Sequence, residues 1–369
     1  MDKALETFFQ NQSGWLLIVE IAAILAVLAK AADWLVGEAV VLSERSGLPK
    51  VVIGATIVSL GTTAPEAAVS VLAALQGKPG LALGNAVGSI ICDTGLILGV
   101  ACLIRPLKLP PQIVNRQGWL QFGAGVLLVA MCWPWATGGN PLHEGGNLPQ
   151  LAGFVFMGLL LGYLWLSVRW ARSTTDGVVV QVEQYEKDAA TPMSVVVVKL
   201  LFAIALVVGA SHVLIPAITE AAYRMRVPPG IVAATLVAFG TSLPELVTAV
   251  TASLRGHGDL AVGNVIGADI LNVLFVAGTA AAVTRGGLDA PPPFFWLQFP
   301  AMLLILITFR CGAFLSGDAM KRGFGLLLLA LYAVYLVLNF TLLPAHKPDA
   351  PQKSLQQTLL PTQETRPGV

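Results

Sequence analysis

Ten long apolar segments dominate this chain. A run of about 20 apolar residues can cross the hydrocarbon core of a bilayer as a helix. Of the 369 residues, 56% are hydrophobic and only 12% are charged, whereas a soluble domain carries about 25% charged residues. We therefore predict an all-α membrane protein with ten transmembrane helices embedded in a lipid bilayer. The segments lie near residues 14–42, 49–76, 79–104, 118–136, 149–171, 193–223, 228–254, 258–284, 294–311 and 321–344.

The two halves of the chain repeat each other. When residues 49–99 are aligned with residues 228–278, Gly, Thr, Pro, Glu and Asn residues coincide without a gap. About 19 of the 51 positions are identical, and the matches that carry the repeat are not the Leu and Val that any apolar segment shares. The sequence therefore indicates an internal duplication.

The repeat and the polar breaks together define the predicted domains. The longest polar break separates two groups of five apolar segments, and the C-terminal tail has too little apolar surface to offset its chain entropy. We expect a first five-helix repeat at 1–171, a connecting loop at 172–192, a second five-helix repeat at 193–344 and a disordered tail at 345–369. Because five is odd, the second repeat would cross the membrane with inverted topology, and transporters built this way bind substrate at the midplane between the repeats.

The loops also predict an orientation. Lys and Arg are more numerous after the odd-numbered segments than after the even-numbered ones, and positive residues favour the cytoplasm. We expect a cytoplasmic 172–192 loop and both termini outside, in a membrane of the bacterial inner (plasma) membrane type. The first segment lacks the positive region of a signal peptide, so we expect it to be retained as a helix. The net charge of +1 argues against nucleic-acid binding, and nothing indicates an obligatory protein partner.

Four carboxylates interrupt the apolar segments. Glu66, Glu245, Asp93 and Asp269 each stand alone among apolar and neutral residues. A carboxylate at a helix centre costs roughly 2.5–3.5 kcal/mol, so it needs a compensating partner. A basic partner on another helix, Lys30 or Lys199, is one possibility, and Asp269 could instead face water near a helix end. Cation binding or proton relay is the alternative that we favour for the two glutamates.

Oxygen-bearing groups surround these carboxylates. Pro65 and Pro244 lack an N–H and interrupt their helices beside the glutamates, which frees backbone carbonyls. Ser89 lies on the same helical face as Asp93, and Asn272 is the counterpart of Asp93 in the second repeat. Such oxygen ligands suit Ca²⁺ and Na⁺ rather than zinc or copper. The candidate hydroxyl ligands in the two proline segments are Ser59, Thr62, Thr63, Thr241 and Ser242.

The two proline segments resemble a known family. Residues 61–66 read Gly-Thr-Thr-Ala-Pro-Glu and residues 240–245 read Gly-Thr-Ser-Leu-Pro-Glu, and each is followed by Gly-Asn-x-x-Gly, from Gly84 and Gly263. They are similar to the paired alpha-repeat signatures of sodium/calcium exchangers, within the calcium/cation antiporter superfamily. The resemblance implies a ten-helix antiporter, not an enzyme, that transports Ca²⁺ and Na⁺ by alternating access and needs no cofactor.

The resemblance also implies a ligand set. Calcium would be held by Glu66, Glu245 and the carbonyls of Thr62 and Thr241, with Asp93 and Asn272 as the acid and amide at the centre. Sodium would use those glutamates together with Thr63, Ser242, Ser89 and the carbonyls of Ser59 and Ala238.

The sequence departs from the family pattern, which is usually Gly-Ser-Asn in both repeats. The first repeat has Ile90 after Gly88 and Ser89, and in the second repeat Ala268 and Asp269 follow Gly267. Ala268 removes a hydroxyl from one sodium site, and Asp269 adds a possible charge and joins the candidate ligands. Proton coupling and potassium dependence therefore remain open as alternatives to sodium. Two other classes are an intramembrane aspartyl protease with Asp93 and Asp269 as its dyad, and a channel.

Overall fold

The structure is a computed structural model that describes residues 3–109, 111–135, 138–175, 192–225, 240–317 and 319–342. The predicted tail, almost all of the predicted connecting loop, and Ala238 lie outside these ranges.

The first half of the chain is helical, with short strands between helices. Its α-helices are α1 (Lys3–Gln10), α2 (Gly14–Ser46), α3 (Lys50–Ile53), α4 (Ser59–Thr62), α5 (Ala64–Leu75), α6 (Pro79–Ile91), α7 (Leu98–Ile104), α8 (Pro111–Cys132), α9 (Pro141–Glu144) and α10 (Gln150–Thr175). Two π-helical turns, π1 (Gly54–Val58) and π2 (Cys92–Ile97), join α3 to α4 and α6 to α7.

The second half has the same character. Its α-helices are α11 (Met193–Arg224), α12 (Leu243–Leu254), α13 (Gly258–Leu271), α14 (Gly278–Val283), α15 (Phe299–Ser316) and α16 (Arg322–Leu342). A third π-helical turn, π3 (Asn272–Ala277), joins α13 to α14, and a fourth, π4 (Phe294–Gln298), precedes α15. Helices α5 and α12 begin and end at equivalent positions of the repeat, so the repeated sequence adopts repeated secondary structure.

The chain is an integral membrane protein by the length and hydropathy of its helices. Among the described residues, seven helices are long and apolar enough to cross a membrane, and eight if a bent helix pair counts as one span. The prediction of ten spans is therefore borne out only in part. Helix α8 carries Asn115, Arg116, Gln117 and Gln121, which lower its hydropathy, and α12 is a short helix that follows the undescribed residues 226–239.

A break in the second apolar segment lies beside the first proline. The segments Lys50–Thr62 and Ala64–Leu75 meet at Thr63 with a bend of 42°. Pro65 is the second residue of α5, and Pro244 is the second residue of α12. Proline suits the first turn of a helix, where its missing N–H costs no hydrogen bond. The predicted interruption is thus found where a new helix starts, and it places Glu66 and Glu245 in first turns.

The centre and the periphery of the helix bundle differ in burial. The span from α13 to α14 is the most buried, because 94% of the residues in its 18-residue apolar stretch lie inside the protein. The corresponding share for the span from α6 to α7 is 72%. Helices α2 and α11 pack along each other and expose large apolar side chains such as Trp15, Ile18 and Phe202. Apolar exposure of this kind is expected where a helix faces lipid.

Two pairs of short antiparallel strands connect the halves outside the helices. Strand β1 (Leu107–Lys108) pairs with β4 (Ala319–Met320), with Leu107 opposite Met320. Strand β2 (Gly146–Leu148) pairs with β3 (Leu288–Ala290), with Asn147 opposite Asp289. These pairings tie loops of the first half to loops of the second half around the buried central helices.

Candidate ion-binding site

Four acidic side chains are buried in the centre of the bundle. Glu66 lies on α5, Glu245 on α12, Asp93 in π2 and Asp269 on α13. None of the four exposes more than 2% of its surface. Asp269 therefore does not face water near a helix end, which was one of the alternatives from the sequence.

The two proline segments supply partners to each other's glutamate. The Thr63 hydroxyl donates a hydrogen bond to Glu245 Oε1 at 3.2 Å, and Thr62 also lies beside Glu245. In the opposite direction, Thr241 lies beside Glu66. Each half of the chain thus completes the surroundings of the carboxylate from the other half, so the candidate site needs both.

Asp93 and Asn272 meet directly at the middle of this arrangement. Asn272 Nδ2 donates to Asp93 Oδ2 at 3.3 Å, and Ser242 lies beside Asp93. Asp93 is the second residue of π2 and Asn272 is the first residue of π3. A π-helical turn is rare and occurs frequently at functional sites, and here one presents each member of the pair.

The charges in the site have no basic counterpart among the described residues. Glu66, Glu245 and Asp93 lie close enough to repel one another. The two basic residues that the sequence offered as partners are engaged elsewhere, since Lys30 pairs with Asp33 at 3.7 Å and Lys199 pairs with Glu38 at 4.0 Å. The ion-pair alternative is therefore wrong for these lysines.

Several oxygens in the cluster lack hydrogen-bond donors within the described ranges. They are buried, and a buried polar atom without a partner costs about 1–3 kcal/mol. The set consists of Glu66 Oε2, Glu245 Oε2, Asp93 Oδ1, Asn272 Oδ1 and the hydroxyls of Ser89 and Ser242. Unpaired acceptors around like charges can accommodate a cation, so the donor set fits a hard metal ion.

The remaining predicted ligands fall into two groups. Ser59 and Ser89 are completely buried in the described structure, and the Ser59 carbonyl already accepts the Thr63 N–H at 2.8 Å. Ala238 lies outside the described residues. Within the part of the chain that is described, no three His, Cys, Asp or Glu side chains form a metal-binding group. The candidate site therefore relies on hydroxyl, amide and carbonyl oxygens as well as carboxylates.

Asn85 has a larger role than the sequence predicted. Its Nδ2 donates to the Glu66 carbonyl at 3.3 Å and to Ser70 Oγ at 3.0 Å, while its Oδ1 accepts from Thr241 Oγ1 at 3.5 Å. It thus fixes the backbone of one glutamate and the hydroxyl that faces it. From the sequence, Asn85 was noted only as part of the Gly-Asn-x-x-Gly stretch, although a buried amide repeated at Asn264 was a signal for more.

The glycines of the second Gly-Asn-x-x-Gly stretch do provide close packing. A Cβ on Gly263 would overlap the Val51 carbonyl oxygen, and a Cβ on Gly267 would lie 2.5 Å from Ala55. Backbone contact this close between helices requires small residues. Helix α13 of the second half is thereby pressed against α3 and π1 of the first half, beside the candidate site.

Asp269 belongs to a separate polar cluster. Its Oδ2 accepts hydrogen bonds from Thr94 Oγ1 and from Gln121 Nε2, the latter at 2.5 Å. Gln121 Nε2 also donates to Thr94 Oγ1 at 3.1 Å. Neither Thr94 nor Gln121 was predicted to be a ligand, because an isolated threonine or glutamine on an apolar helix gives no sign of its partner.

The comparisons with known proteins agree on the family. The family model described as sodium/calcium exchanger protein matches residues 16–169 and 195–341. The chain is 33% identical over 327 residues to the inner membrane protein YrbG of Escherichia coli, which covers 87% of this chain and 95% of that protein. It is 28% identical over 346 residues to the sodium/calcium exchanger MaX1 of Methanosarcina acetivorans, covering 86% of this chain and 96% of that protein.

The fold matches as well. A solved structure of the sodium-calcium exchanger NCX_Mj superposes with a TM-score of 0.71 at 24% identity and covers 87% of this chain and 98% of that one. An all-helical membrane fold of this kind was predicted from the apolar segments and the resemblance. Because the family model matches most of the chain, including both proline segments, the chain belongs to the sodium/calcium exchanger protein family of antiporters.

Proposed function

We propose that this antiporter exchanges Ca²⁺ for Na⁺ across the membrane by alternating access at the central carboxylate site. The observation that carries the proposal is the cluster of unpaired buried oxygens on Glu66, Glu245 and Asp93. These three carboxylates come from both halves of the chain, repel one another and have no basic partner among the described residues. Cations are the natural compensation for such a cluster, and a transported cation would enter and leave it.

The proposed ligands divide between the two ions. Calcium would be held by Glu66, Glu245 and the carbonyls of Thr62 and Thr241. Two carboxylates neutralise one Ca²⁺, and Ca²⁺ prefers six to eight oxygen ligands. The hydroxyls and carbonyls around the glutamates raise the number of oxygens without adding charge.

Sodium would use overlapping ligands. Both glutamates would serve it together with Thr63, Ser242, Ser89 and the carbonyls of Ser59 and Ala238, while Asp93 and Asn272 would occupy the centre. Three carboxylates can balance three monovalent cations, or one divalent cation with one negative charge left over. Because the two ions would compete for the same glutamates, binding of one displaces the other, which is the requirement for exchange.

The architecture supports this mechanism. We propose two inverted five-helix repeats, 1–171 and 193–344, joined by a cytoplasmic loop at 172–192, followed by a disordered tail at 345–369, with both termini outside the bacterial-type inner membrane. Helices α2 and α11 pack along each other at the periphery, while the candidate ligands lie on the helices beneath them. Movement of this outer pair over the central helices would open the site to one side at a time.

A second candidate keeps the fold and changes the coupling ion to H⁺, or adds a requirement for K⁺. The observation in its favour is Ala268, which is the counterpart of Ser89 in the second repeat and carries no hydroxyl. One sodium ligand of the first half therefore has no equivalent in the second. Asp269, next to Ala268, places a further buried carboxylate beside Asp93.

An aspartyl protease has less support. A proton-sharing dyad requires two carboxylates in direct contact. Within the described structure, Asp93 is hydrogen-bonded to Asn272, and Asp269 is hydrogen-bonded to Thr94 and Gln121. The family match also points to a transporter. A channel differs from an antiporter in needing no counter-ion, and transport measurements separate the two.

Radioactive calcium uptake tests the proposed function. Proteoliposomes containing the full chain are loaded with Na⁺ and diluted into Na⁺-free buffer that contains labelled Ca²⁺. We expect uptake that depends on internal Na⁺ and is abolished by Glu66→Gln. Glu44→Gln, at an exposed position on α2, is the matched control and should transport normally.

The other outcomes are equally informative. Uptake driven by a pH gradient without Na⁺ would move the assignment to proton coupling. Uptake that needs K⁺ together with Na⁺ would establish potassium dependence. Calcium entry without any counter-ion would indicate a channel, and no uptake under any gradient would contradict calcium as the substrate.

A further inference from the structure

The Asp269 cluster has the features of a cation site that is distinct from the central one. Asp269, Thr94 and Gln121 come from three different elements, α13, π2 and α8, and all are at least 98% buried. Asp269 Oδ2 accepts two hydrogen bonds and Gln121 Nε2 donates two. One oxygen of the carboxylate and the amide nitrogen are therefore fully engaged.

The other oxygen of the Asp269 carboxylate and the amide oxygen of Gln121 are not engaged in hydrogen bonds. Asp269 Oδ1 and Gln121 Oε1 have no hydrogen-bond partner among the described residues. Both atoms are acceptors, and their groups are already in contact through Gln121 Nε2. Two buried acceptors on touching groups lack a donor, and a cation between them would supply the missing interaction.

The charge of the cluster is also uncompensated. Within the described ranges, Arg310 reaches α8 beside Gly118 and Trp119, and it bonds to the Val114 carbonyl at 3.4 Å and to Asn115 Oδ1 at 3.1 Å. Arg116 of α8 lies over the Trp170 ring, and the described hydrogen bonds of Asp269 come from Thr94 and Gln121 rather than from either arginine. One carboxylate and two neutral oxygen groups carry a charge of −1, which a monovalent cation balances and a divalent ion exceeds.

The repeat shows that this cluster is not a copy of any part of the central site. The counterparts of Asp269 and Thr94 in the other repeat are the apolar residues Ile90 and Val273, whereas the segment Trp119-Leu120-Gln121-Phe122 recurs at 296–299, with Gln298 as the counterpart of Gln121. The glutamine is thus duplicated but the carboxylate and the threonine are not, so the complete cluster exists on one side of the pseudo-twofold arrangement only. It nevertheless lies near the centre, because Asp269 is close enough to Asp93 for the two charges to repel.

We propose that Asp269, Gln121 and Thr94 form an additional site for a monovalent alkali cation, Na⁺ or K⁺, beside the exchange site. Its occupant neutralises Asp269 and thereby relieves the repulsion on Asp93, so that cations bind more tightly at the centre. The site itself stands on the contacts of Asp269, and only its effect on exchange rests on the proposed function.

Thermal unfolding of the purified full chain in detergent tests the additional site. The background is Glu66→Gln/Glu245→Gln, which removes the two glutamates of the exchange site. NaCl or KCl replaces N-methyl-D-glucamine chloride at constant ionic strength. We expect the unfolding midpoint to rise and saturate with Na⁺ or K⁺, since a ligand that binds only the folded state stabilises it. Of Na⁺ and K⁺, the ion whose titration saturates at the lower concentration is the one that the site prefers.

Variants locate the effect. Asp269→Asn added to the background should abolish the response, and it should raise the midpoint in N-methyl-D-glucamine because the uncompensated charge is gone. Gln121→Leu should weaken the response. Gln117→Leu is the matched control, one turn earlier on the same face of α8 and bonded to Ser167 instead, and should keep the response in full.

Two results would overturn the inference. If the parent responds to Na⁺ or K⁺ but the Glu66→Gln/Glu245→Gln background does not, the cation acts at the exchange site, which supports the proposed function and removes the additional site. If the background responds and Asp269→Asn changes neither the response nor the midpoint without alkali cations, Asp269 holds no cation.

Discussion

Asn272 Nδ2 lies 3.3 Å from Asp93 Oδ2, and the two residues are 179 positions apart, which is the offset of the sequence repeat. In the proposed inverted-repeat arrangement, equivalent residues that touch each other lie on the pseudo-twofold axis that relates the repeats. The acid and the amide are therefore two versions of the same position, facing each other in the middle of the candidate site.

The first prediction exchanges these two residues. Asp93→Asn removes one of three central charges and should reduce Na⁺-driven calcium uptake at least about tenfold, equivalent to about 1.4 kcal/mol. The double variant Asp93→Asn/Asn272→Asp restores the charge at the equivalent place and should recover most of the uptake. Equal loss in both variants would show that the two positions are not interchangeable, contrary to their place on the axis.

A second prediction concerns the hydrogen bond between the proline segments. Thr63→Val removes the donor to Glu245 Oε1 while keeping the shape of the side chain. A hydrogen bond to a charged group contributes about 1.5–3 kcal/mol, so the apparent affinity for calcium should fall roughly 10- to 100-fold. Thr308→Val is the matched control, because the Thr308 hydroxyl is exposed and bonds only to the Leu304 carbonyl of its own helix. Unchanged calcium affinity in Thr63→Val would show that this hydrogen bond does not position Glu245 for calcium.

A third prediction compares two equivalent asparagines. Asn85→Ala should weaken calcium binding severalfold, because Asn85 holds the Glu66 carbonyl and contacts Thr241. Asn264→Ala should have a smaller effect, since neither side-chain atom of Asn264 has a hydrogen-bond partner in the described structure. Calcium titrations of the two purified variants give the comparison. The account of Asn85 as a positioning residue would fail if Asn264→Ala were the more damaging change.

The fourth prediction tests the close approach of α13 to the first half. Gly263→Ala places a Cβ against the Val51 carbonyl oxygen, which neither backbone can avoid without moving apart. Overpacking of this kind costs about 1–3 kcal/mol, so the unfolding midpoint in detergent should drop. Gly158→Ala on α10 is the control, because a Cβ there meets nothing within 4 Å. A Gly263→Ala protein as stable as the Gly158→Ala protein would contradict the described packing.

The sequence was sufficient to predict the helical membrane fold and the central carboxylates. Glu66, Glu245 and Asp93 stood out because a charge in an apolar segment is costly and must have a reason. The family resemblance grouped Thr63 with the glutamates and Asn272 with Asp93, and the structure does bring Thr63 to Glu245 and Asn272 to Asp93.

What the sequence did not reveal depends on contacts between distant segments. Thr94 has the apolar counterpart Val273, so the repeat did not single it out. Gln121 does recur as Gln298 in a repeated Trp-Leu-Gln-Phe segment, but this segment lies outside the aligned residues 49–99. The helix break was expected at the prolines, and it lies at Thr63 because Pro65 fits the first turn of α5. The π-helical turns were not foreseen either, because such turns are rare and a continuous apolar segment predicts a regular α-helix.

The most direct test of the central claim is competition between the two ions at equilibrium. Labelled calcium is bound to the purified protein in detergent and displaced by Na⁺, with Glu66→Gln and Glu245→Gln measured in parallel. The account predicts that Na⁺ displaces calcium completely, with a Hill coefficient above one, and that either glutamate variant loses high-affinity calcium binding. Calcium that stays bound at saturating Na⁺, or binds equally well to both variants, would show that the two ions do not share this site.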